Sequence, residues 1–371
     1  MNKLGFGLMR LPTKEIDNIR KIDLEKVQEM VDVFMARGYS YYDTAYIYHG
    51  GESEVAFRET VVKKYPRDSF TITDKFPMNK LDLTDEEIEA VFATSLERLG
   101  VDFIDYYWIH AVSEKRYESD LFPRVLAFIK KKQAEGKIRN IGFSFHDSSA
   151  VLEKILARHP EFDFVQLQIN YLDWDDANVE ARNNYELCEK YGKKVIVMEP
   201  LRGGALVKVP SDVEALFKSH SENSIPSWGL RFAASPKNVI MVLSGMGTVA
   251  QVEENMKYFD DFKPLDEKEL EITMKAAEFI KKTRAIPCTS CHYCDGCPKD
   301  IPIAEFFTIY NNYKRIGEGD ADIASCYYEN LTKNHGKASD CIACGRCERK
   351  CPQRIKITEW LKCVAEEIET L

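Results

Sequence analysis

The chain has 371 residues, 44% of them apolar, and 60 acidic against 51 basic side chains leave a formal charge of −9. That content suffices for a large buried core, and an acidic balance with both signs interspersed excludes nucleic acid and anionic membrane as expected partners. No apolar run reaches membrane-spanning length and the opening Met-Asn-Lys-Leu-Gly-Phe-Gly has no signal pattern, so a soluble cytoplasmic protein is expected.

Through the first three-quarters, β-branched and aromatic runs alternate with amphipathic stretches of helix length. Strands are expected at residues 4–8, 39–43, 70–76, 103–110, 140–144, 164–168, 194–198 and 238–244. Helices are expected at 24–37, 84–99 and 122–134, with Thr84 and Glu87 spaced as a capping box. Eight β/α alternations predict a parallel (β/α)8 TIM barrel rather than an open doubly wound sheet. Gly5-Phe6-Gly7 comes too early and lacks the third glycine of a dinucleotide fingerprint.

In such a barrel the C-terminal strand ends share one mouth, so residues distant in sequence meet there. Asp43, Lys75 and His110 close the second, third and fourth expected strands, and Tyr48 follows the second. A phenol titrates near 10 and donates poorly at neutral pH unless a cation stabilises its anion. Lys75 is expected to be that cation, Asp43 to hold it, and His110 to orient a carbonyl oxygen beside the phenol. His49 and His146 fall at the same mouth and are weighed as loop residues against substrate contacts.

These residues resemble the catalytic tetrad of the aldo-keto reductase superfamily. Asp43-Thr44-Ala45-x-x-Tyr48, Thr73-Asp74-Lys75-Phe76 and Asp105-Tyr106-Tyr107-Trp108-Ile109-His110 match its three motifs, over roughly residues 1–260. The resemblance implies a nicotinamide cofactor bound without a Rossmann domain. It further implies Ser144 and Gln166 at the carboxamide, and Met198, Leu201 and Gly203 along the ring and pyrophosphate. Ser244, Gly245, Met246, Gln251, Glu254 and Asn255 would lie at the adenosine, with Gly7 and Asp43 counted among the cofactor positions. Phe145 stands where an Asn commonly follows the carboxamide serine. Gly245 and Gln251 replace the cations of relatives selective for a 2′-phosphate, which favours NADH over NADPH although Arg202 and Lys257 carry charge nearby in sequence.

Ten of the eleven cysteines lie from Cys288 onward, which marks a domain change in the stretch 281–287 and predicts domains at 1–284 and 285–371. Cys288, Cys291, Cys294 and Cys297 are evenly spaced and followed by Pro298; Cys341, Cys344, Cys347 and Cys351 repeat the plan before Pro352. The pattern resembles bacterial two-cluster ferredoxins and, after a barrel, the iron-sulfur branch of the aldo-keto reductases. In such ferredoxins the fourth cysteine ligates the other cluster. By that rule Cys288, Cys291, Cys294 and Cys351 hold one [4Fe-4S] cluster, and Cys341, Cys344, Cys347 and Cys297 the other. Zinc is the rival, although it has no use for the third evenly spaced cysteine. Cys188, Cys326 and Cys363 fall outside the pattern and are expected to be buried apolar residues, and residues 303–335 to form helices packing this module on the barrel.

The chemistry expected is interconversion of a small carbonyl compound and its alcohol. The clusters exchange electrons with a ferredoxin or another carrier, or are structural. A low-turnover binding protein on the same scaffold is the third possibility.

Overall fold

The eight apolar runs become eight parallel strands because helices follow them in sequence, and strands covered on both faces need side chains suited to burial on both. In the computed structural model, which describes residues 2–16, 19–176, 179–283, 285–316 and 321–371, these are β1 (Leu4–Gly7), β2 (Tyr41–Asp43), β3 (Thr71–Phe76) and β4 (Ile104–Val112). They continue as β5 (Ile138–Phe145), β6 (Phe164–Gln168), β7 (Lys194–Met198) and β8 (Val239–Ser244). Each pairs with the next in sequence, and β8 pairs with β1 through Leu4↔Val242 and Phe6↔Ser244 to close the barrel. All eight expected strands are present, and their bounds move by at most two residues.

The barrel interior is filled by Tyr41, Trp108, Phe164, Ile196, Met241 and Leu243. Trp108 meets Phe164 edge-on with centroids 4.6 Å apart. A Cβ at Gly142 would lie 2.3 Å from the Phe164 ring, so only glycine leaves that ring its place. Around the strands, the helix Asp85–Leu99 is capped as its sequence predicts. Thr84 Oγ1 accepts from Glu87 N at 3.2 Å, and Glu87 Oε2 accepts from Thr84 N at 2.7 Å. The hairpin Thr13–Ile16 with Ile19–Ile22 was not expected. Its strands are short and carry Lys14, Lys21, Glu15 and Arg20, so they lack the apolar density that marks the barrel strands.

The chain divides into two compact units. The first is Met1–Asp175, Val179–Pro200 and Ser227–Asp266; the second is Asp176–Asn178, Leu201–Pro226 and Glu267–Leu371. The second unit thus takes in the helix Glu267–Thr283 and the segment after β7 as well as the cysteine-rich residues. Residue 284, where the sequence puts the junction, lies outside the described residues. Within the second unit the helices Ile303–Ile316, Ala321–Thr332 and Ile357–Ile368 bury Phe306, Phe307, Tyr310, Tyr328, Leu361 and Val364 in one core. Residues 317–320 of the stretch expected to be helical are also outside the description. Among the described residues no helix is long and apolar enough to cross a membrane.

Candidate functional site

Strand ends and one tight turn bring the four singled-out side chains together. Asp43 is the last residue of β2 and Lys75 the next-to-last of β3. Lys75 is fully buried, and its ammonium donates to Asp43 Oδ2 at 2.7 Å and to Thr44 O at 2.5 Å. Two of its three N–H bonds are thereby fixed. The same Nζ lies 4.8 Å from the centroid of the Tyr48 ring, and Tyr48 meets His110 edge-on at 5.9 Å.

Tyr48 is aimed by a turn that needs unusual backbone. His49, Gly50 and Gly51 have φ of 49°, 65° and 95°, after which the helix Glu52–Phe57 begins. A Cβ on Gly51 would also lie 2.5 Å from the Arg98 guanidinium, so glycine is needed there for two reasons. His110 sits inside β4 rather than at its end. Ala111 takes φ 53°, the β4–β5 register shifts between Ile109 and Val112, and Ala111 N donates to Ser144 Oγ at 2.6 Å. A bulge of this kind re-aims the side chain beside it.

The electrostatics differ from the expectation in one respect. The Tyr48 phenol is pushed well above its ordinary range, by burial first and then by the carboxylates of Asp43, Glu199 and Asp74. Burial likewise raises the Asp43 carboxyl, with Lys75 opposing. His110 is held well below its ordinary value by burial and by the Lys75 charge, so its imidazole is neutral. His146 is pushed down to about 4 by burial and Arg116.

Behind Lys75 lies a feature the sequence did not reveal. Asp74 and Glu54 are both fully buried, Asp74 Oδ1 accepts from Lys75 N at 2.8 Å, and Arg98 pairs with Glu54 at 3.0 Å. Burial and the neighbouring Glu54 raise the Asp74 carboxyl well above its ordinary value. Arg10 was also missed. It packs against Gly245, pairs with Glu199 at 3.8 Å, and its charge acts on Tyr48. A cation just after β1 was the only available signal.

Among the expected cofactor positions of the first unit, Asn255 Nδ2 donates to Ser244 Oγ at 3.0 Å, and both are buried. Gly7 faces Ser244 and Gly245 closely enough that a Cβ would lie 3.4 Å from Ser244 O. Gln251 Oε1 accepts from Gly247 N at 2.8 Å, which fixes the loop after β8. Met246, Ser144 and Gln166 are buried, while Met198 and Glu254 are half-buried. In the second unit, Leu201 precedes three consecutive left-handed residues, Arg202, Gly203 and Gly204, with φ of 49°, 65° and 92°.

The model of the family described as "Aldo/keto reductase family" matches residues 3–278. The chain belongs to the aldo/keto reductase family. A probable aldo-keto reductase 1 of Glycine max is 28% identical over 212 residues, 55% of this chain and 57% of that protein. The chain thus spans little more than half the length of that relative. The NADH-specific methylglyoxal reductase of Escherichia coli K12 is 28% identical over 304 residues, 69% of this chain and 89% of that protein. A Klebsiella pneumoniae aldo-keto reductase solved with NADPH superposes with a TM-score of 0.58 at 18% identity, over 75% of this chain and 90% of that one, a likeness of fold.

Ten of the eleven cysteines lie beyond the family match, from Cys288 onward. Cys288, Cys291, Cys294 and Cys351 line one small cavity together with Ile303, Phe307, Ile355 and Ile357. The Cys294 thiol is pushed up by burial and by Cys288, Cys291, Asp295 and Cys351, which places those three cysteines within electrostatic reach of it. Ser290 N points at Cys288 Sγ, 3.4 Å away. Of the other four, Cys341 acts on Cys347, whose thiol burial raises to about 11; Cys297 packs against the same core, and Cys344 is exposed. The two loops share one backbone pattern. Ser290 (51°) and His292 (62°) flank Cys291 in left-handed conformations, as Ala343 (52°) and Gly345 (66°) flank Cys344. Three of these four residues are not glycine, so the coiling is imposed against their local preference. Among the described residues no three or more His, Cys, Asp and Glu side chains are gathered tightly enough for a single metal ion. Cys188 is buried as expected, and Cys363 packs against the core half-buried. Cys326 is exposed instead, because its face of the helix Ala321–Thr332 turns outward and Asn330 reaches its sulfur.

Proposed function

We propose that this aldo/keto reductase interconverts a small aldehyde or ketone and the corresponding alcohol with NAD(H). The observation that carries the reading is the buried Lys75–Asp43 pair beneath the Tyr48 ring. A bound nicotinamide supplies the hydride that reaches the carbonyl carbon. The phenol of Tyr48 gives its proton to the oxygen, which by then carries alkoxide charge and is a stronger base than phenolate. The raised phenol affinity keeps that proton in place until it is needed. The third N–H of Lys75 then faces the new phenolate, and neutral His110 orients the oxygen by hydrogen bonding without competing for the proton. In the alcohol-oxidising direction the same groups run in reverse.

The cofactor contacts fall to the positions that match the family: Gly7, Asp43, Ser144, Gln166, Met198, Leu201, Gly203, Ser244, Gly245, Met246, Gln251, Glu254 and Asn255. NADH is favoured by the lack of Lys or Arg at Gly245 and Gln251. The E. coli relative, NADH-specific by name, supports this, and its methylglyoxal makes 2-oxoaldehydes the first substrates to try.

The cysteine-rich residues, as a domain over 285–371, are proposed to hold two [4Fe-4S] clusters. Cys288, Cys291, Cys294 and Cys351 would ligate one, and Cys341, Cys344, Cys347 and Cys297 the other. Support comes from the four thiols around one apolar cavity, the repeated left-handed pattern, and the N–H directed at Cys288 sulfur. Four thiols spread around a cavity suit a cube of irons better than one tetrahedral zinc. Bound clusters supply single electrons, so a ferredoxin or similar carrier is the proposed partner, in a cytoplasm that keeps thiols reduced.

The test is anaerobic purification with iron and sulfide analysis, followed by NADH and NADPH oxidation with methylglyoxal and a panel of aldehydes and ketones. A loss of turnover of about 10²–10⁴-fold in Tyr48→Phe is expected. Turnover undiminished by that change would refute the proton-donor role, and zinc in place of iron would refute the clusters.

A further inference from the structure

The cavity of about 550 Å³ in the second unit is lined on one side by the segment after β7 and on the other by cysteine-rich residues. That volume lies within the range of ligand sites. Among the described residues its two charged lining groups, Arg202 and Lys208, are both cations, and none is a carboxylate. The opposite wall presents Ser290, Thr308 and Asn312, small groups that hydrogen-bond to oxygen anions. The Ser290 and Thr308 hydroxyls lie 3.3 Å apart, which sets two of them at neighbouring positions on that wall. Cys288 lies on it as well.

The two walls are tied at their base. Arg202 is buried and donates through Nη2 to Pro287 O at 3.1 Å, one residue before Cys288. Asn311 clamps the residue before that, donating to Ile286 O and accepting from Ile286 N, both at 2.8 Å. The path of the chain into the first cysteine loop is therefore fixed by groups that also frame the cavity.

We propose that the cysteine-rich segment supplies one wall of a binding site for a diphosphate-bearing nucleotide, through Ser290, Thr308 and Asn312, and that nucleotide occupancy and the metal content of the Cys288 loop are coupled. The inference deepens the proposed use of a dinucleotide and rests on it. Arg202 and Lys208 neutralise the phosphates, while the hydroxyls and the amide fix their orientation. Because Arg202 holds both a cavity wall and the entry to the Cys288 loop, ordering either one favours the other. By linkage the effect is reciprocal: metal tightens the nucleotide as much as the nucleotide retains the metal.

The experiment uses the full anaerobically purified chain, with NADH and ADP as probes in titration calorimetry. Asn312 is exposed, so changing it leaves the core untouched. Asn312→Asp is expected to weaken both probes about tenfold or more and Asn312→Lys to tighten them, since the two changes add unit charges of opposite sign next to phosphate. Opposite signs are an outcome that a merely structural role of Asn312 does not produce. Equal effects of the two changes, or none, would overturn the site. An effect on NADH without one on ADP would place the contact at the nicotinamide end and overturn the diphosphate assignment.

Removal of metal by a chelator should weaken ADP by the same factor by which ADP raises the equilibrium affinity for metal. If ADP affinity does not respond to chelation, the coupling is wrong even where the site is right. Iron analysis separates this proposal from the cluster assignment. A chain that carries no iron yet shows the opposite-sign pair keeps the site and loses the clusters, and an iron-loaded chain without the pair does the reverse.

Discussion

The barrel site and the cysteine site are organised in opposite ways. In the barrel, Lys75, Asp43 and the Thr44 carbonyl satisfy one another, so the pocket is in order before anything binds. Around Cys288, Cys291, Cys294 and Cys351 the side chains are of one kind, and the other three raise the proton affinity of Cys294. Such a group gains order from what it binds, as ligand thiols do when metal replaces their protons. A pocket of mutually compensating charges is thus pre-organised, whereas a ring of like groups is completed by its cargo.

The sharpest way to break this contrast is to take metal away. A chelator under anaerobic, reducing conditions is expected to abolish hydrogen-exchange protection in Ile303–Ile316 and Ile357–Ile368 while that of β1–β8 persists. Equal loss in both units would show the barrel to be as dependent on cargo as the cysteines. Tyr48→Phe should lower turnover by about 10²–10⁴-fold with an unchanged melting temperature, since the phenol donates a proton but bears no structural load.

Lys75→Met should cost about 3–5 kcal/mol in denaturant titration, because it strands Asp43 buried and uncompensated. Restoration of much of that loss by adding Asp43→Leu would confirm that the pair, rather than the lysine, is the unit of organisation. A response to pH comes next. His146 takes its proton near 4 in the folded chain and near 6.5 when unfolded, so the unfolded state binds more protons in between. Barrel stability is expected to fall by up to about 3 kcal/mol as pH drops from 6.5 to 4, and His146→Gln should flatten that slope. The smallest effect is Thr84→Ala, about 1 kcal/mol from loss of the cap, confined to the barrel unit.

Much of this was legible because the barrel strands have a strong local signature. Runs such as residues 164–168 and 194–198 coincide with β6 and β7, and Thr84 with Glu87 gave a helix start that the structure reproduces. The tetrad was readable since Asp43 and Lys75 sit at strand ends and Tyr48 follows one, where parallel barrels place chemistry. What stayed hidden depends on pairing across the fold. Asp74 reads as an ordinary charge until Glu54, from another element, is buried beside it. The Ala111 bulge leaves no mark in a sequence of good strand formers, and the left-handed Ser290, His292 and Ala343 oppose local preference, so no propensity foretells them.

The bond from Ala111 N to Ser144 Oγ gives one hydroxyl two tasks, for the oxygen that fixes the imidazole's bulge also belongs to the residue assigned to the carboxamide. On the proposed reading, an occupant that grips Ser144 stiffens the His110 side of the pocket before any carbonyl compound arrives. Kinetics should therefore run in compulsory order, nucleotide first, with the oxidised nucleotide inhibiting competitively against the reduced one. In Ser144→Ala that order should relax towards random entry.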